Sequence, residues 1–309
     1  MDIKSPLVSI IVPSYNYEKF IVEALDSISL QTYRNLELVI VDDMSKDSSV
    51  KLITQYISQK RVKERFEGNI KFIKHNVNRG AHYSINEGIR SSKGSYISIL
   101  NADDLFQENR FDTMIDEMVK RNAEFSFSKI EVINGEGVLL GTSSEESSKF
   151  LAIQDSINNF PSVGWSLVPH NAAISTGNML FTREIFEKLG GFRNLKYCHD
   201  WDFILRSLLF TEPLYIPSTQ YYYRLHGNNS YLKLNDVVDK EVKTVLGSFF
   251  YKCRTKKVMN KLCPSPQNWD GLFLEQIKSM SLHHFWLFSK TPINLMYQMR
   301  QYFLDYKGR

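Results

Sequence analysis

Apolar positions in the first 105 residues alternate between two spacings. Leu7–Val12 is a short apolar run of strand type, and Glu18–Gln31 places Ile21, Ala24, Leu25 and Ile28 on one helical face. Glu37–Val41 is a buried-strand run, Asp47–Gln59 sets Val50, Ile53 and Ile57 on one face, and Ile70–Lys74 predicts a third strand. Ala81–Ser91 predicts a helix that stops before Gly94, and Tyr96–Leu100 a fourth strand. Strand and helix repeating at this spacing predict a parallel sheet with right-handed crossovers. Further on, Asn109–Arg121 reads as helix, Ala123–Ile133 as strand, 134–137 as a turn and 142–170 as a long polar loop. Ala172–Phe181 predicts a strand, Thr182–Leu189 a short helix, Asp200–Phe210 another helix, and Leu214–Pro217 with Gln220–Arg224 extended chain. After Asn229 the pattern turns helical over 232–262 and 269–306, broken at Pro264-Ser265-Pro266. The chain thus divides into an α/β domain, 1–230, and a helical C-terminal extension, 231–309.

Acidic residues follow these apolar runs. Val39-Ile40-Val41 leads into Asp42-Asp43, Tyr96–Leu100 into Asn101-Ala102-Asp103-Asp104, and His199-Asp200-Trp201-Asp202 opens a helix. In an open α/β sheet, ligands bind beyond the carboxyl ends of the strands. Carboxylates gathered there suit a divalent cation and a phosphorylated, hydroxyl-rich substrate. A Mg²⁺-type ion takes one or two carboxylates plus substrate phosphates, which gives Asp103 and Asp104 a role. Asp200 can act as a general base, taking a proton from a sugar hydroxyl. Each feature also has a plainer reading: Asp42-Asp43 as a helix cap, Asn78-Arg79-Gly80 as a surface turn, Asp200 and Asp202 as acids in a first helical turn. Pro13-Ser14-Tyr15-Asn16 closes the first strand, where Tyr15 can stack on a nucleobase. Arg224-Leu225-His226 ends the extended segment, where Arg224 can bind phosphate by its fork and His226 a metal or phosphate.

Composition narrows the classes. Apolar residues make up 43% of 309, enough for a sizeable core. Three cysteines, Cys198, Cys253 and Cys263, match no disulfide framework or zinc spacing, so a reducing cytosol is the simpler setting. No apolar run approaches the roughly 20 residues that cross a bilayer. The first apolar stretch is interrupted by Ser9 and ended by Pro13, which reads as a strand rather than a signal peptide. Residues 231–309 carry 13 Lys and Arg against 6 Asp and Glu, and residues 1–230 carry 25 against 28. The basic excess therefore sits in the extension, where it could meet an anionic membrane surface or nucleic acid.

Taken in order, these stretches resemble the inverting nucleotide-sugar glycosyltransferases of family 2. The matching text includes Val8-Ser9-Ile10-Ile11-Val12-Pro13-Ser14-Tyr15-Asn16, 27–33, Glu37–Ser45, Asn78-Arg79-Gly80, Asn101–Asp104, Gly177-Asn178-Met179, 186–192, His199–Asp202 and Arg224–His226, covering about 6–230. The resemblance implies a GT-A fold: a Rossmann-like nucleotide-binding sheet flanked by helices, here with the helical extension appended. It implies a UDP-sugar donor held by Pro13, Tyr15, Asp43, Arg79, Asn101, Asp103 and Arg224. It implies Mn²⁺ or Mg²⁺ on Asp103, Asp104 and His226, and Asp200 as the base, with Asp202 the runner-up. The acceptor would be a saccharide or lipid-linked saccharide of a surface polysaccharide. The protein would be cytoplasmic, touching the membrane through the basic extension and binding no nucleic acid. Trp165, His170 and Trp201 could line the acceptor side, core packing being their simpler role. Two positions depart from the family: Asn101 stands where Asp is common, and His199 where Glu precedes the base.

Two other enzyme classes fit less well. A sugar-nucleotide nucleotidyltransferase wants a glycine-rich basic first loop, and Pro13–Tyr17 has no glycine. A dinucleotide-dependent oxidoreductase wants G-x-G-x-x-G after the first strand, and none is present. A non-catalytic sugar-binding protein with a degenerate site has only Asn101 in its favour.

Overall fold

The computed structural model describes residues 5–227 and 235–289. The part of the predicted 269–306 helix beyond 289 lies outside the described residues. Four strands, β1 (Val8–Ser14), β2 (Leu36–Asp42), β3 (Ile70–Lys74) and β4 (Tyr96–Ile99), pair in parallel in the order β3-β2-β1-β4. Helices α1 (Ile21–Ser29), α2 (Ser49–Ser58), α3 (Lys60–Arg65) and α4 (Ala81–Ser91) connect them. Side chains alternate across β1. Val8, Ile10 and Val12 join the core under α1 and α2, whereas Ile11 packs towards α4. Gly88 lets α4 lie close on that face, since a Cβ there would stand 2.5 Å from Ile11 Cγ2.

The second half departs from a purely parallel sheet. The strand order continues β4-β7-β6-β8-β5, with β5 (Leu105–Phe106), β6 (Phe125–Ile133), β7 (Met179–Thr182) and β8 (Leu214–Arg224). β7 runs antiparallel to β4 and β6, and β8 runs parallel to β6 through an irregular register near Lys129. The two extended segments expected over 214–224 are therefore one strand. The strand expected over 172–181 shrinks to the four residues of β7. Before it, Asn178 does the work of a ladder: its amide donates to the Ser128 and Ala173 carbonyls, and its Oδ1 accepts from Ser128 N. A polar side chain thus satisfies a buried loop that a strand would otherwise have to form.

The expected loop at 142–170 is also more ordered. It contains α6 (Glu145–Asp155) and α7 (Val163–Ser166), after α5 (Arg110–Arg121). Ser144 accepts from Ser147 N, and Glu145 and Glu146 occupy the first turn of α6. The polar run is a capping sequence with acids at the positive helix end. α8 (Arg183–Leu189) and α9 (His199–Ser207) precede β8. After it come α10 (Asn235–Thr255), α11 (Leu272–Ser279) and α12 (His283–Phe288). Val245, Phe249, Phe250 and Phe273 bury in the same apolar cluster as Phe181 and Phe203, so these helices share the core of the sheet.

Candidate active site

β1, β2 and β4 are parallel, so Tyr15, Asp43 and Asp103 leave the sheet at one edge. Two antiparallel steps through β7 and β6 bring β8 back to the same direction, which delivers Arg224 and His226 to that edge too. β7 runs the other way, so the loop before it, carrying Asn171, Ser175 and Thr176, also ends there. The edge opens into a cleft of about 940 Å³ lined by Pro13, Tyr15, Asp43, Asn101, Asp103, Asp104 and Asp200 among others. The four aspartates, spread over 158 positions of sequence, thus share one cavity. Arg79, Arg224 and His226 are not among the lining residues.

Asp43 is held tightly at the first end of the cleft. Its Oδ1 accepts from Arg79 N at 2.8 Å and contacts His75 Nδ1 at 2.7 Å, and its Oδ2 accepts from Gly80 N at 2.7 Å. Gly80 has φ +86°, a conformation that favours glycine and aims consecutive N–H groups at one carboxylate. Asp42 instead accepts from Ser45 N and binds its own loop. The Arg79 guanidinium lies 4.5 Å over the Tyr83 ring at the exposed rim. Tyr15, 40% exposed, faces the opening.

His75 bridges Asp43 and Glu87, with Nε2 2.5 Å from Glu87 Oε2. Burial pulls its pKa down, but the hydrogen bonds to Asp43 and Glu87 outweigh burial and raise it overall. The protonated ring therefore contributes stability that is complete below the ordinary histidine value, about 6.5, and is lost as pH rises through the higher folded value. The melting temperature of wild type should fall towards that of His75→Gln as pH rises through this window. A pH-independent difference between the two in thermal denaturation would contradict the bridge.

Asp103 and Asp104 divide their tasks. Asp104 is buried and fully engaged: Oδ1 accepts from Arg224 N at 2.8 Å, and Oδ2 from Tyr221 Oη at 2.5 Å and Asn101 Nδ2 at 3.1 Å. Burial, and next the charge of Asp103, raises its pKa well above the ordinary value. Asn101 has a structural reason: its amide donates to Asp104 and Ser175, where an aspartate would add a third carboxylate to a crowded corner. Asp103 Oδ2 stands 3.0 Å from His226 Nε2, and the Tyr17 phenol lies near the same carboxylate. The Tyr17 pKa is raised by burial and then by both aspartates, so the phenol stays protonated.

Arg224 corrects an expectation. Its side chain is wholly buried, and its guanidinium donates to the carbonyls of Asp103, Asn134 and Gly135 and to Glu23 Oε2. It builds the floor that fixes Asp103 rather than facing a diphosphate. The donor set suits a cation held largely by its substrate: two carboxylates lining the cleft, Asp103 and Asp104, of which Asp103 stands beside one imidazole, His226. Among the described residues no group of three or more His, Cys, Asp or Glu forms a cage that would hold a metal unaided.

Asp200 stands at the start of α9 on the far side of the cleft. Its Oδ2 accepts from Asn171 Nδ2 at 2.9 Å and its Oδ1 from Trp201 N at 2.7 Å. Burial raises its pKa, opposed next by His199 and then by these hydrogen bonds. Asp202, one turn-position on, faces away: it pairs with Arg206 Nε at 2.7 Å and Arg193 at 3.2 Å. Those two arginines engage both of its oxygens. His199 contacts Thr176 Oγ1 at 3.3 Å, and His170 lines the same wall. Trp201 lines the cleft while its Nε1 donates to Leu167 O, whereas Trp165 is buried against Trp269 and Phe273. Sequence reasoning missed Tyr17, Asn171 and Tyr221, which act through contacts made across the sheet. Tyr17 alone had a visible signal, an aromatic just past the first strand.

An α/β sheet whose carboxyl edge gathers these acids around a cleft defines a glycosyltransferase of the GT-A fold. Residues 9–190 match the glycosyl transferase family 2 domain, and the chain belongs to that family. It is 26% identical over 223 residues to the glycosyltransferase GlyG of Streptococcus pneumoniae, covering 71% of each chain. It is 33% identical over 133 residues to the Escherichia coli UDP-Glc:alpha-D-GlcNAc-diphosphoundecaprenol beta-1,3-glucosyltransferase WfgD, covering 43% of this chain and 49% of that one. Among solved structures, the Pyrobaculum calidifontis mannosyltransferase PcManGT with GDP-Man and Mn²⁺ superposes with TM-score 0.64 at 17% identity, over 93% of this chain and 74% of that one. S. aureus TarS 1-349 with UDP-GlcNAc gives 0.61 at 18% identity, over 88% and 73%. These two likenesses speak to the fold. Among the described residues no helix is long and apolar enough to cross a membrane.

Proposed function

We propose that this glycosyltransferase moves a sugar from a uridine or thymidine diphosphate donor to a hydroxyl of a saccharide or lipid-linked saccharide, with inversion, in surface polysaccharide synthesis. The observation that carries this reading is the meeting of Asp43, Asp103 and Asp200 in one cleft. Asp43 supports the choice of base. A carboxylate has about four acceptor positions, and His75, Arg79 N and Gly80 N take three of them. The one left on Oδ2 matches the single imide N–H of uracil or thymine. Guanine offers several donors on that edge and cytosine has no imide. Tyr15 would lie against the base, with Arg79 at the rim.

Asp103 and His226 would hold Mn²⁺ or Mg²⁺ with the donor diphosphate. The bound cation supplies neutralisation of the departing diphosphate in place of a general acid. Asp200 accepts the proton of the acceptor hydroxyl as its oxygen bonds to the anomeric carbon. The carbon–oxygen bond to the diphosphate breaks, and its electron pair leaves with the nucleotide. Attack from the face opposite the leaving group inverts the centre. Asn171 and Trp201 N orient the carboxylate without neutralising it. The domain reading follows: 1–230 carries the donor and base residues, and 231–309 closes the acceptor side through Val238 and Val242.

The test is nucleotide release from UDP-, dTDP- and GDP-sugars with Mn²⁺, starting with UDP-glucose and UDP-GlcNAc. Release from uridine or thymidine donors is expected, with GDP donors inactive. Turnover confined to GDP-sugars would overturn the base assignment. The basic extension, with Leu262, Leu272 and Leu274 exposed beside Lys261 and Lys278, supports peripheral contact with an anionic membrane. The full chain should sediment with phosphatidylglycerol vesicles and release as salt rises. Equal binding to neutral vesicles would count against this contact.

A further inference from the structure

We infer that Glu241, on the C-terminal helix α10, is a positioning residue for Asp200, its carboxylate capping the chain that leads into α9. The inference rests on Asp200 being the base. α9 begins at His199, and its cap residue, Cys198, offers no side-chain acceptor. The backbone takes one from another element instead. Glu241 Oε1 accepts from Lys196 N at 2.8 Å, and Oε2 accepts from Tyr197 N at 2.8 Å and Cys198 N at 2.9 Å. Three successive N–H groups thus converge on one buried carboxylate. Val238 and Val242, beside Glu241 on α10, reach into the cleft itself. Val245, Phe249 and Phe250, further along α10, lock the helix into the core. The base is therefore placed by a residue from outside the domain that carries it.

The same contact acts on charge. Free N–H groups at a helix start favour a nearby carboxylate anion. Glu241 occupies those that precede α9 and adds a negative charge of its own. The groups around Asp200 are His199, Cys198 and Asp202 on its own segment, Glu241 on α10, and His82 on α4 facing His199. Of these, His199 favours ionisation of Asp200, and Asp202 is matched by Arg206 and Arg193. Loss of the Glu241 charge is read in the acidity of Asp200, separately from stability.

Glu241→Gln keeps the volume, retains one acceptor oxygen and turns an NH₂ towards backbone N–H groups. In the full chain, amide exchange at 196–198 should quicken about tenfold or more. Nucleotide release, measured with UDP-glucose and Mn²⁺ or the active donor of the panel, should fall about ten- to a hundredfold. Its acidic limb should move to lower pH, with nucleotide affinity unchanged. Glu241→Asp, which keeps the charge, should hold the limb at the wild-type pH. Wild-type exchange at 196–198 in Glu241→Gln overturns the inference. So does a slower enzyme with a lower melting temperature and an unmoved limb. Wild-type release by Asp200→Asn would instead sink the base assignment, while exchange still reads the cap by itself.

Discussion

Replacing Asp200 with Asn should lower sugar transfer and nucleotide release by about 10²–10⁴-fold, the usual worth of a positioned general base, and leave nucleotide binding near wild type. The substitution keeps the shape and removes only the ability to take a proton. Asp200 lies across the cleft from Asp43 and Asp103, so the donor contacts survive it. The wild-type pH profile should carry the mark of its setting. The carboxylate must be ionised to act, and burial raises its pKa. Activity should therefore be lost, as pH falls, above the ordinary carboxylate range of about 4. Asp202→Asn is the control that separates chemistry from structure. Asp202 is buried between Arg206 and Arg193, and removing it strands buried charge, which costs about 3–5 kcal/mol. That variant should melt early without moving the acidic limb. An Asp200→Asn enzyme that transfers at the wild-type rate ends the mechanism.

What could be read from the chain follows from where each constraint acts. β1 to β4 and the helices α1, α2 and α4 are legible because period and burial agree within each segment, whereas the short α3 is not, and parallel order then puts Asp43 and Asp103 on one edge. β7 was legible only in part. Its direction and length depend on Asn178 hydrogen-bonding Ser128, 50 residues earlier. α6 was hidden by its polarity, since its Ser and Glu residues cap it but resemble a loop. Arg224 misled for a physical reason. An arginine at a strand end suggests an anion, yet the strand's alternation turns its side chain inward, onto carbonyls and Glu23. Glu241 left no local trace, because a carboxylate capping another element's backbone has no spacing to recognise.

Asp103→Asn and Asp104→Asn should fail in different ways, although the residues are adjacent. Asp103 faces the cleft, with His226 and the Tyr17 phenol beside its carboxylate. An amide there keeps one acceptor oxygen but loses the charge a cation needs. Mn²⁺ stimulation should disappear and turnover fall about a hundredfold, as on loss of one charged transition-state contact. The melting temperature should stay close to wild type. Asp104 meets three groups, Arg224 N, the Tyr221 hydroxyl and the Asn101 amide, all hydrogen-bond donors to it. An amide at 104 replaces one acceptor with a fourth donor in a dry site. Each buried donor left without its acceptor costs about 1–3 kcal/mol, so stability should drop by about that much or more. Arg224 would lose the carboxylate that fixes its backbone, and the floor beneath Asp103 would shift with it. Thermal denaturation and Mn²⁺ titration of the two variants decide the matter. If Asp104→Asn melts like wild type while binding Mn²⁺ no better than Asp103→Asn, Asp104 is itself a ligand and the division of labour is wrong.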